Sequence, residues 1–306
     1  MSQTIDFKVN DRVIRISNPE KILWPDLKMT KLNFIQYLIE MSPYLLPYVK
    51  NRLLTTIRFP NGIEASSFYQ KNAPSYAPDW MATSEWNGTT YILLNDLPTL
   101  IWLGNQACLE YHVPFNCCDE HNVPSEIAFD LDPSDPNHFS LVLEVALLVK
   151  DVLDSLGLAS QPKTSGATGL QIYIPITRRY TYEQTHLFNR FVAFYMAEKH
   201  PKLVTLERLV KNRGNKLYFD YLQHGKGKTL AAPYFPRARK KGTVSAPVSW
   251  EEVQAGFHPH DFTMQNIVSR VKEKGDLFSL ITTERQEQSL DPILKEIQSF
   301  IKNNDK

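Results

Sequence analysis

Between residues 126 and 222, short apolar strand patterns alternate with two long amphipathic helix patterns. The segment EIAFDLDPS predicts a strand that stops at Pro133, and the amphipathic segment after it predicts a helix that ends at Gly157. A second helix pattern ends before Pro201, with strand patterns QIYIPI and KLYFDYLQ on either side of it. The segment SQPKTSGATGL, which precedes QIYIPI, predicts a loop. This order predicts an α+β fold in which a small mixed or antiparallel sheet is covered by helices.

The first third of the chain has a different arrangement of patterns. Residues 4–16 predict a hairpin. Residues 31–49 predict a helix with Thr30 as its N-cap and prolines that break its end. The segment LPTLIWLGNQACLEYH predicts a second helix, which Pro114 ends.

Length and composition set the domain organisation. A chain of 306 residues that is 42% hydrophobic is long enough for one large domain or two packed subdomains. No repeat or low-complexity linker is present, so we expect a single domain, 1–306, with packed subdomains of about 1–120 and 121–306. Charged residues make up 22% and nearly cancel, to +1, so nucleic acid would have to bind a local basic patch.

Cysteine usage and apolar runs predict a soluble, cytoplasmic protein with no membrane partner. The three cysteines include the adjacent pair Cys117 and Cys118, and no C-x-x-C spacing occurs, which favours reduced thiols over disulfides or zinc. The N-terminal segment lacks the apolar core of a signal peptide. No apolar run approaches the ~20 residues that a membrane-spanning helix needs.

The segment SEIAFDLDPSD places two carboxylates on one face of an apolar strand. Asp130 and Asp132 lie two residues apart, ~6.5 Å along an extended chain, and raise each other's pKa unless a cation lies between them. Mg²⁺ and Mn²⁺ prefer such oxygen ligands, and a pair of these ions can activate an attacking oxygen and stabilise a leaving one. A solvated strand end is the alternative. If the KLYFDYLQ strand neighbours this one, Asp220 supplies a third carboxylate.

A glycine-containing turn and a basic stretch accompany these acids. In KTSGATGL, the glycines Gly166 and Gly169 allow a tight turn whose N–H groups can cradle phosphate oxygens, although an ordinary turn explains the composition equally well. The spacing is not that of a P-loop. Basic residues between Lys211 and Lys241 flank Asp220 on both sides, which favours a polyanionic substrate over a merely solvated surface.

Taken in order, several long motifs resemble one family. These motifs are SNPEKILWP, RFPNG, FYQKNAP, WLGNQACLEYH, FDLDPSD, KTSGATGLQIYIP and YFDYLQHGKGKTLAAPYFPRAR. They resemble the polymerase domain of bacterial DNA ligase D, a member of the archaeo-eukaryotic primase superfamily, over nearly the whole chain.

The resemblance implies a primase-polymerase core and a DNA-end-directed nucleotidyltransferase. Such a domain fills gaps and extends ends in bacterial non-homologous end joining, with a preference for ribonucleotides and with two Mn²⁺ or Mg²⁺ ions as cofactors. Its implied partners are DNA double-strand ends bearing a 5′-phosphate, NTP or dNTP, Ku and a DNA ligase. The implied location is the nucleoid within the cytoplasm.

The resemblance also assigns site residues in four groups. The catalytic and metal-binding acids are Asp130, Asp132 and Asp220. The nucleotide-binding positions are His112, Ser165, Gly166, Thr168, Gly169, Gln171, Arg213, Gln223 and Arg237. The positions for the DNA 5′-phosphate are Asn18, Lys21 and Lys31. The template-stacking positions are Phe68 and Tyr69, next to Lys71; stacking of this kind tolerates any base.

Three positions depart from the family pattern. The family turn reads S-G-x-K-G-L-H, whereas here Thr168 replaces the lysine and Gln171 replaces the histidine. Both changes remove a positive or ionisable group near the triphosphate, which predicts weaker nucleotide binding or turnover. His224 replaces the usual asparagine after Gln223 and offers partial compensation.

Two other functions remain open at this point. A catalytically weakened module would bind 5′-phosphorylated ends without incorporating nucleotides. A haloacid-dehalogenase-type phosphohydrolase also has a D-x-D after an apolar strand, but that signature normally lies near the N-terminus and is followed by a paired-acid motif.

Overall fold

The computed structural model describes residues 4–304, with strands and helices numbered in chain order. The strands are β1 Thr4–Val9, β2 Arg12–Ser17, β3 Ile22–Trp24, β4 Met29–Thr30, β5 Thr55–Arg58, β6 Phe68–Gln70, β7 Thr83–Trp86, β8 Thr89–Ile92, β9 Cys108–Val113, β10 Glu126–Pro133, β11 Gln161–Thr164, β12 Leu170–Pro175, β13 Val204–Thr205, β14 Leu217–Phe219 and β15 Leu230–Ala231. The α-helices are α1 Lys31–Val49, α2 Leu97–Asn105, α3 Phe139–Ser155, α4 Tyr182–Lys199, α5 Trp250–Ala255, α6 Ile267–Lys274 and α7 Asp291–Asn304. Short 3₁₀ helices span Val210–Asn212, Pro259–Asp261 and Ser279–Ile281.

The chain divides into two compact units. Unit 1 contains the described residues up to Pro114 together with 229–246 and 260–276. Unit 2 contains 115–228, 247–259 and the described residues from Leu277 onward. The segments 229–246 and 260–276 thus belong to the same unit as the N-terminal residues. The subdomain boundary near residue 120 stays a prediction.

Helix α1 of unit 1 begins where the sequence predicts. The Thr30 hydroxyl accepts a hydrogen bond from the Asn33 backbone, and the Asn33 side chain accepts one from the Thr30 backbone, which forms a capping box. The helix continues through Pro43 and Pro47 to Val49. The expectation that these prolines break its end is therefore wrong. Much of its last turn is buried, and this packing offsets the backbone hydrogen bonds that the prolines cannot make.

The second predicted helix of unit 1 is correct only in its first half. Helix α2 ends at Asn105, Ala107 follows with a left-handed φ of 54°, and β9 then begins at Cys108. Strand β9 lies inside a four-stranded antiparallel sheet with the order β15–β9–β5–β6. Pairing on both edges of β9 overrides the local helical pattern. Strand β6 forms an edge of this sheet, and β1–β2, β3–β4 and β7–β8 form separate antiparallel pairs.

Unit 2 is built around a five-stranded mixed sheet with the order β11–β12–β10–β14–β13. Only the β13–β14 pair is parallel. Strand β10 is central, and its side chains Ile127, Phe129 and Leu131 are fully buried. Helices α3 and α4 both contact β10, as the alternation of strands and helices predicts. One assignment is wrong: residues 161–164 were expected in a loop, yet they form the edge strand β11.

No helix within residues 4–304 is long and apolar enough to cross a bilayer.

Candidate active site

Three carboxylates converge on the five-stranded sheet of unit 2. Asp130 and Asp132 share one face of β10, and β14 pairs antiparallel with β10, so that Asp132 lies opposite Tyr218. Asp220 follows β14 directly, and its backbone N–H donates to the Asp130 carbonyl over 2.9 Å. One carboxylate oxygen from each of Asp130, Asp132 and Asp220 lies within 4.8 Å of the other two. The sequence-based expectation that the two strands are neighbours is confirmed.

The electrostatics of this cluster suit a cation. Burial raises the pKa of the Asp130 carboxyl well above its ordinary value, and the charges of Asp132 and Asp220 add to the effect. Burial and then Asp220 also raise the pKa of Asp132, while Arg213 acts in the opposite direction. Oxygen ligands that repel one another at this spacing fit a hard divalent cation, which would offset the repulsion. The residues present therefore match the metal site that the sequence predicts.

Asp220 is also held through its side chain. Its Oδ1 accepts hydrogen bonds from the Tyr218 hydroxyl and the Leu222 backbone, each over 3.1 Å. The Arg213 guanidinium lies 4.0 Å from the centre of the Tyr218 ring, and its Nε donates to the Glu207 carbonyl over 3.0 Å. Arg213, a predicted nucleotide contact, therefore occupies a fixed position beside the acids.

The turn between β11 and β12 lies against Asp132. Ser165 Oγ accepts from the backbone N–H groups of Ala167 over 3.1 Å and of Gly169 over 3.0 Å. Gly166 has a left-handed φ of 69°. A Cβ atom at Gly169 would lie 2.5 Å from the Leu131 carbonyl oxygen and 2.9 Å from Asp132 Oδ1, so only glycine permits this approach. The nucleotide-binding role of this turn, including half-buried Thr168, stays a prediction.

Gln171 and His224, two of the positions that depart from the family pattern, are both buried. The Gln171 side chain is 3% exposed and donates through Nε2 to Asp130 Oδ1 over 3.1 Å. His224 is fully buried, with Nε2 2.9 Å from Thr185 Oγ1, and burial lowers its pKa to about 3. The expected compensation by His224 is therefore wrong, because the ring packs into the core. Gln223 donates through its backbone to the Asp220 carbonyl over 3.3 Å.

In unit 1, Glu110 connects two predicted nucleotide-binding residues. Its Oε2 lies 3.1 Å from His112 Nε2 and accepts from Arg237 Nε over 2.9 Å, while its Oε1 accepts from the Ala238 backbone over 3.0 Å. Burial alone would raise the pKa of the Glu110 carboxyl, but the His112 hydrogen bond and the Arg237 charge bring it down to about 2. Glu110 is thus a buried anion that orients His112 and Arg237.

The predicted 5′-phosphate residues belong to unit 1 and are linked by backbone hydrogen bonds. The Asn18 carbonyl accepts from the Lys21 backbone over 3.1 Å, and the Lys21 carbonyl accepts from the Lys31 backbone over 2.8 Å. Lys31 is 5% exposed and donates through Nζ to the Ser17 carbonyl over 2.7 Å and to Asn105 Oδ1 over 3.4 Å. Burial, and then the charges of Lys21 and Arg58, lower the pKa of Lys31 to about 8. The three predicted residues are brought together.

The predicted template-stacking residues lie on the edge strand β6. Phe68 and Tyr69 are 47% and 72% exposed, and the Arg58 guanidinium lies 5.3 Å from the centre of the Phe68 ring. Successive residues of a strand face opposite sides, so the two rings point in different directions. Lys71 follows β6 and is exposed.

The LigD primase-polymerase domain family matches residues 30–278. The chain belongs to this family. Membership of the LigD primase-polymerase family implies DNA-directed nucleotidyl transfer, and the α+β fold predicted from the sequence is confirmed.

Relatives of this LigD primase-polymerase domain include longer proteins. The bifunctional non-homologous end joining protein LigD of Bacillus subtilis is 43% identical over 286 residues, which cover 93% of this chain and 47% of that protein. The multifunctional non-homologous end joining protein LigD of Mycolicibacterium smegmatis is 32% identical over 273 residues, 87% of this chain and 36% of that protein. The chain thus spans about half, or less, of these relatives.

A solved structure of the same family has the same fold. The polymerase domain from Mycobacterium tuberculosis ligase D in complex with DNA matches with a TM-score of 0.81 at 29% identity. The match covers 88% of this chain and 97% of that domain. The family membership leaves the haloacid-dehalogenase alternative without support.

Sequence reasoning about this LigD domain missed three side chains that hold predicted site residues. Glu110 lies two residues before His112, a spacing that signals a shared strand face only once the segment is assigned to a strand rather than a helix. Lys163 is not identified as a site residue when its segment is predicted as a loop, although the segment forms the strand β11. Asn105, at the end of α2, carries no local signal, since its contact with Lys31 is made by tertiary packing.

Proposed function

We propose that this LigD primase-polymerase domain fills gaps and extends DNA ends in bacterial non-homologous end joining. The observation that carries the proposal is the clustering of Asp130, Asp132 and Asp220 within 4.8 Å in a chain of this family. The names of the relatives, which are non-homologous end joining proteins, support the biological setting.

The three acids would hold two divalent ions, Mn²⁺ or Mg²⁺. Bound ions of this kind supply electrostatic stabilisation of the negative charge that develops during phosphoryl transfer. The chain's own contribution is to fix the ligands before substrate arrives: main-chain pairing of β10 with β14 sets the positions of Asp130 and Asp132, and the Asp220 backbone bond sets the third.

The turn at Ser165 is proposed to receive the triphosphate. The Ser165 hydroxyl holds the turn closed through two backbone N–H groups, so its main task is to shape the loop. Arg213, fixed over the Tyr218 ring, provides positive charge on the same side as Asp132. His112 and Arg237 of unit 1 are proposed as further nucleotide contacts.

DNA would be held through its end and its template strand. A 5′-phosphate would pair with the clustered Asn18, Lys21 and Lys31, and charge-assisted hydrogen bonds of this type are short and strong. Phe68 and Tyr69 would stack on unpaired template bases, with Lys71 near the backbone. Ku and a DNA ligase activity are the proposed protein partners, and ribonucleotides are the proposed preferred substrate.

Primer extension on a gapped duplex with a 5′-phosphate tests the function. We expect incorporation with Mn²⁺ above that with Mg²⁺, and with rNTPs above dNTPs. Asp130→Ala and Asp220→Ala should abolish it while retaining binding to 5′-phosphorylated ends. Folded variants that extend primers as well as the parent would contradict the catalytic assignment.

The same assay separates a catalytically weakened end-binding module from a polymerase. The change of the family's lysine to Thr168 favours this second candidate, because it removes a charge from the proposed triphosphate turn. A weakened module would bind 5′-phosphorylated ends tightly, incorporate no nucleotide with Mn²⁺, and behave the same after Asp130→Ala.

A further inference from the structure

A row of polar side chains crosses three strands of the apolar sheet in unit 2. Lys163 of β11 lies directly opposite Gln171 of β12, and Gln171 lies directly opposite Asp130 of β10. Directly opposed residues of antiparallel strands share one face, so the three side chains form a single row that ends on the acid cluster. The neighbouring row is apolar: Pro162, Ile172 and Phe129.

The row is buried and hydrogen-bonded throughout. Lys163, Gln171 and Asp130 are 0%, 3% and 8% exposed. Lys163 Nζ donates to Gln171 Oε1 over 2.5 Å, and Gln171 Nε2 donates to Asp130 Oδ1 over 3.1 Å. The Lys163 ammonium also lies 5.4 Å from the centre of the Tyr173 ring, on the same face of the sheet.

The hydrogen-bonding groups of Lys163 and Asp130 determine the orientation of the Gln171 amide between them. A protonated lysine donates hydrogen bonds and does not accept them, so Lys163 must face the oxygen of the Gln171 amide. The nitrogen of that amide is then turned toward Asp130, where only a donor can satisfy a carboxylate. Lys163 therefore determines which end of Gln171 meets Asp130, and a reversed amide would leave a buried donor facing a donor.

We propose that Gln171 and Lys163 are positioning residues that hold the Asp130 carboxylate in one orientation for a divalent cation. The inference rests on the proposed metal-dependent function. It gives Gln171 a task different from contact with the triphosphate. Residues behind metal ligands commonly contribute 10–100-fold to metal affinity by this means.

The proposal also accounts for the residue that differs from the family pattern. A neutral histidine at position 171 has one acceptor nitrogen and one donor N–H, so it could accept from Lys163 and donate to Asp130 in the same direction. Glutamine keeps that polarity without an ionisable ring. A methionine of similar length would fill the space but carry neither hydrogen bond.

Binding of Mn²⁺ alone, followed by electron paramagnetic resonance of the free ion, tests the proposal without DNA or nucleotide. We expect Gln171→Met and Lys163→Met to weaken Mn²⁺ binding by about 10-fold or more. Gln171→His should keep the affinity within about threefold of the parent, because it preserves the donor and the acceptor. Gln161→Met is the matched control: Gln161 lies on the same face of β11 and donates to the Val248 carbonyl.

Each outcome decides one question. Parental Mn²⁺ affinity in folded Gln171→Met overturns the proposal, and this variant decides the matter if Lys163→Met does not fold. Equal weakening in Gln171→His and Gln171→Met also overturns it, because the contribution would then be packing alone. If the parent binds Mn²⁺ in the expected manner yet does not extend primers, the proposed function fails while the positioning role stands.

Discussion

The backbone N–H of Asp220 donates to the carbonyl oxygen of Asp130 over 2.9 Å. Strand β14 ends at Phe219, so this bond extends the pairing with β10 by one residue and brings the third acid beside the first. Because the main chain sets the spacing, an Asp→Asn change at one acid removes charge without moving the others. The acids can therefore be tested one at a time.

Asp132→Asn should stabilise the metal-free protein while abolishing primer extension. The pKa of Asp132 is raised above its ordinary 3.8, so the folded protein binds this proton more tightly than the unfolded chain does. The contribution of Asp132 to the free energy of unfolding is therefore fully present below pH 3.8, and it is lost as the pH rises through the raised pKa of the folded state. A gain of about 1 kcal/mol would raise the melting temperature by about 2–4 °C.

Thermal unfolding in EDTA at pH 7.5 and pH 4 measures this effect. The melting temperature of Asp132→Asn should exceed that of the parent at pH 7.5 and exceed it by less at pH 4. The difference should disappear once Mn²⁺ binds and stabilises the parent. An equal advantage at both pH values would mean that charge repulsion at Asp132 is not its source.

Local patterns in the sequence predicted the elements around the acids, but not the contacts between them. The apolar lead-in, the alternation of faces and the stop at Pro133 identify β10, and Thr30 identifies the start of α1, because each signal lies within a few neighbouring residues. The sequence places Asp220 beside the other two acids only if the strands β10 and β14 pair. Local patterns do not determine that pairing or its register.

The rest of the site depends on long-range pairing. Strand β9 carries His112 but was predicted as helix, because its partners β5 and β15 are distant in sequence. The link from Lys163 to Asp130 requires three strands in register. Tertiary packing likewise buries His224, which the sequence alone places beside the nucleotide.

The preference for 5′-phosphorylated DNA ends should decline as pH rises above about 8. The pKa of Lys31 is lowered to about 8 by burial, Lys21 and Arg58, so the side chain carries its charge at pH 7 and loses it at pH 9. A neutral lysine cannot pair with a phosphate dianion. The ratio of affinities for 5′-phosphate and 5′-hydroxyl duplexes should therefore fall, by at most about tenfold per pH unit.

Fluorescence anisotropy at constant ionic strength from pH 6.5 to 9.5 measures the ratio. Lys31→Arg is the control, since a guanidinium stays charged throughout this range and should remove the pH dependence. A ratio that is flat in the parent would show that Lys31 does not contact the phosphate.

Glu110→Gln should raise the KM for nucleotide by about tenfold, because a hydrogen bond to a charged group contributes about 1.5–3 kcal/mol. The amide keeps the shape but loses the charge that holds Arg237 and His112. Binding of 5′-phosphorylated ends should be unchanged. Steady-state extension kinetics provide the measurement, with exposed Glu85→Gln as the control; an unchanged KM would exclude the orienting role.

Tyr69→Ala should weaken template binding by about 1–3 kcal/mol with little dependence on base identity. Tyr69 is 72% exposed, so folding stability should change by no more than about 0.5 kcal/mol. Quenching of 2-aminopurine in the template reports stacking directly and should be lost in Tyr69→Ala but kept in Tyr69→Phe. Tyr195→Ala, at a 40% exposed aromatic of α4, is the control; equal quenching in the parent and Tyr69→Ala would place the template elsewhere.

Thr168→Lys should strengthen nucleotide binding, because it returns the family's lysine to a half-buried position of the Ser165 turn. A lysine there would face the proposed triphosphate and add one charge-assisted hydrogen bond, which lowers the KM for NTP by about tenfold. Thr168→Gln, of similar length but neutral, should give less than half of that gain in free energy. Primer extension over a range of NTP concentrations compares the three proteins. If Thr168→Lys leaves KM unchanged while Asp130→Ala abolishes activity, the triphosphate does not bind this turn, although the acids remain catalytic.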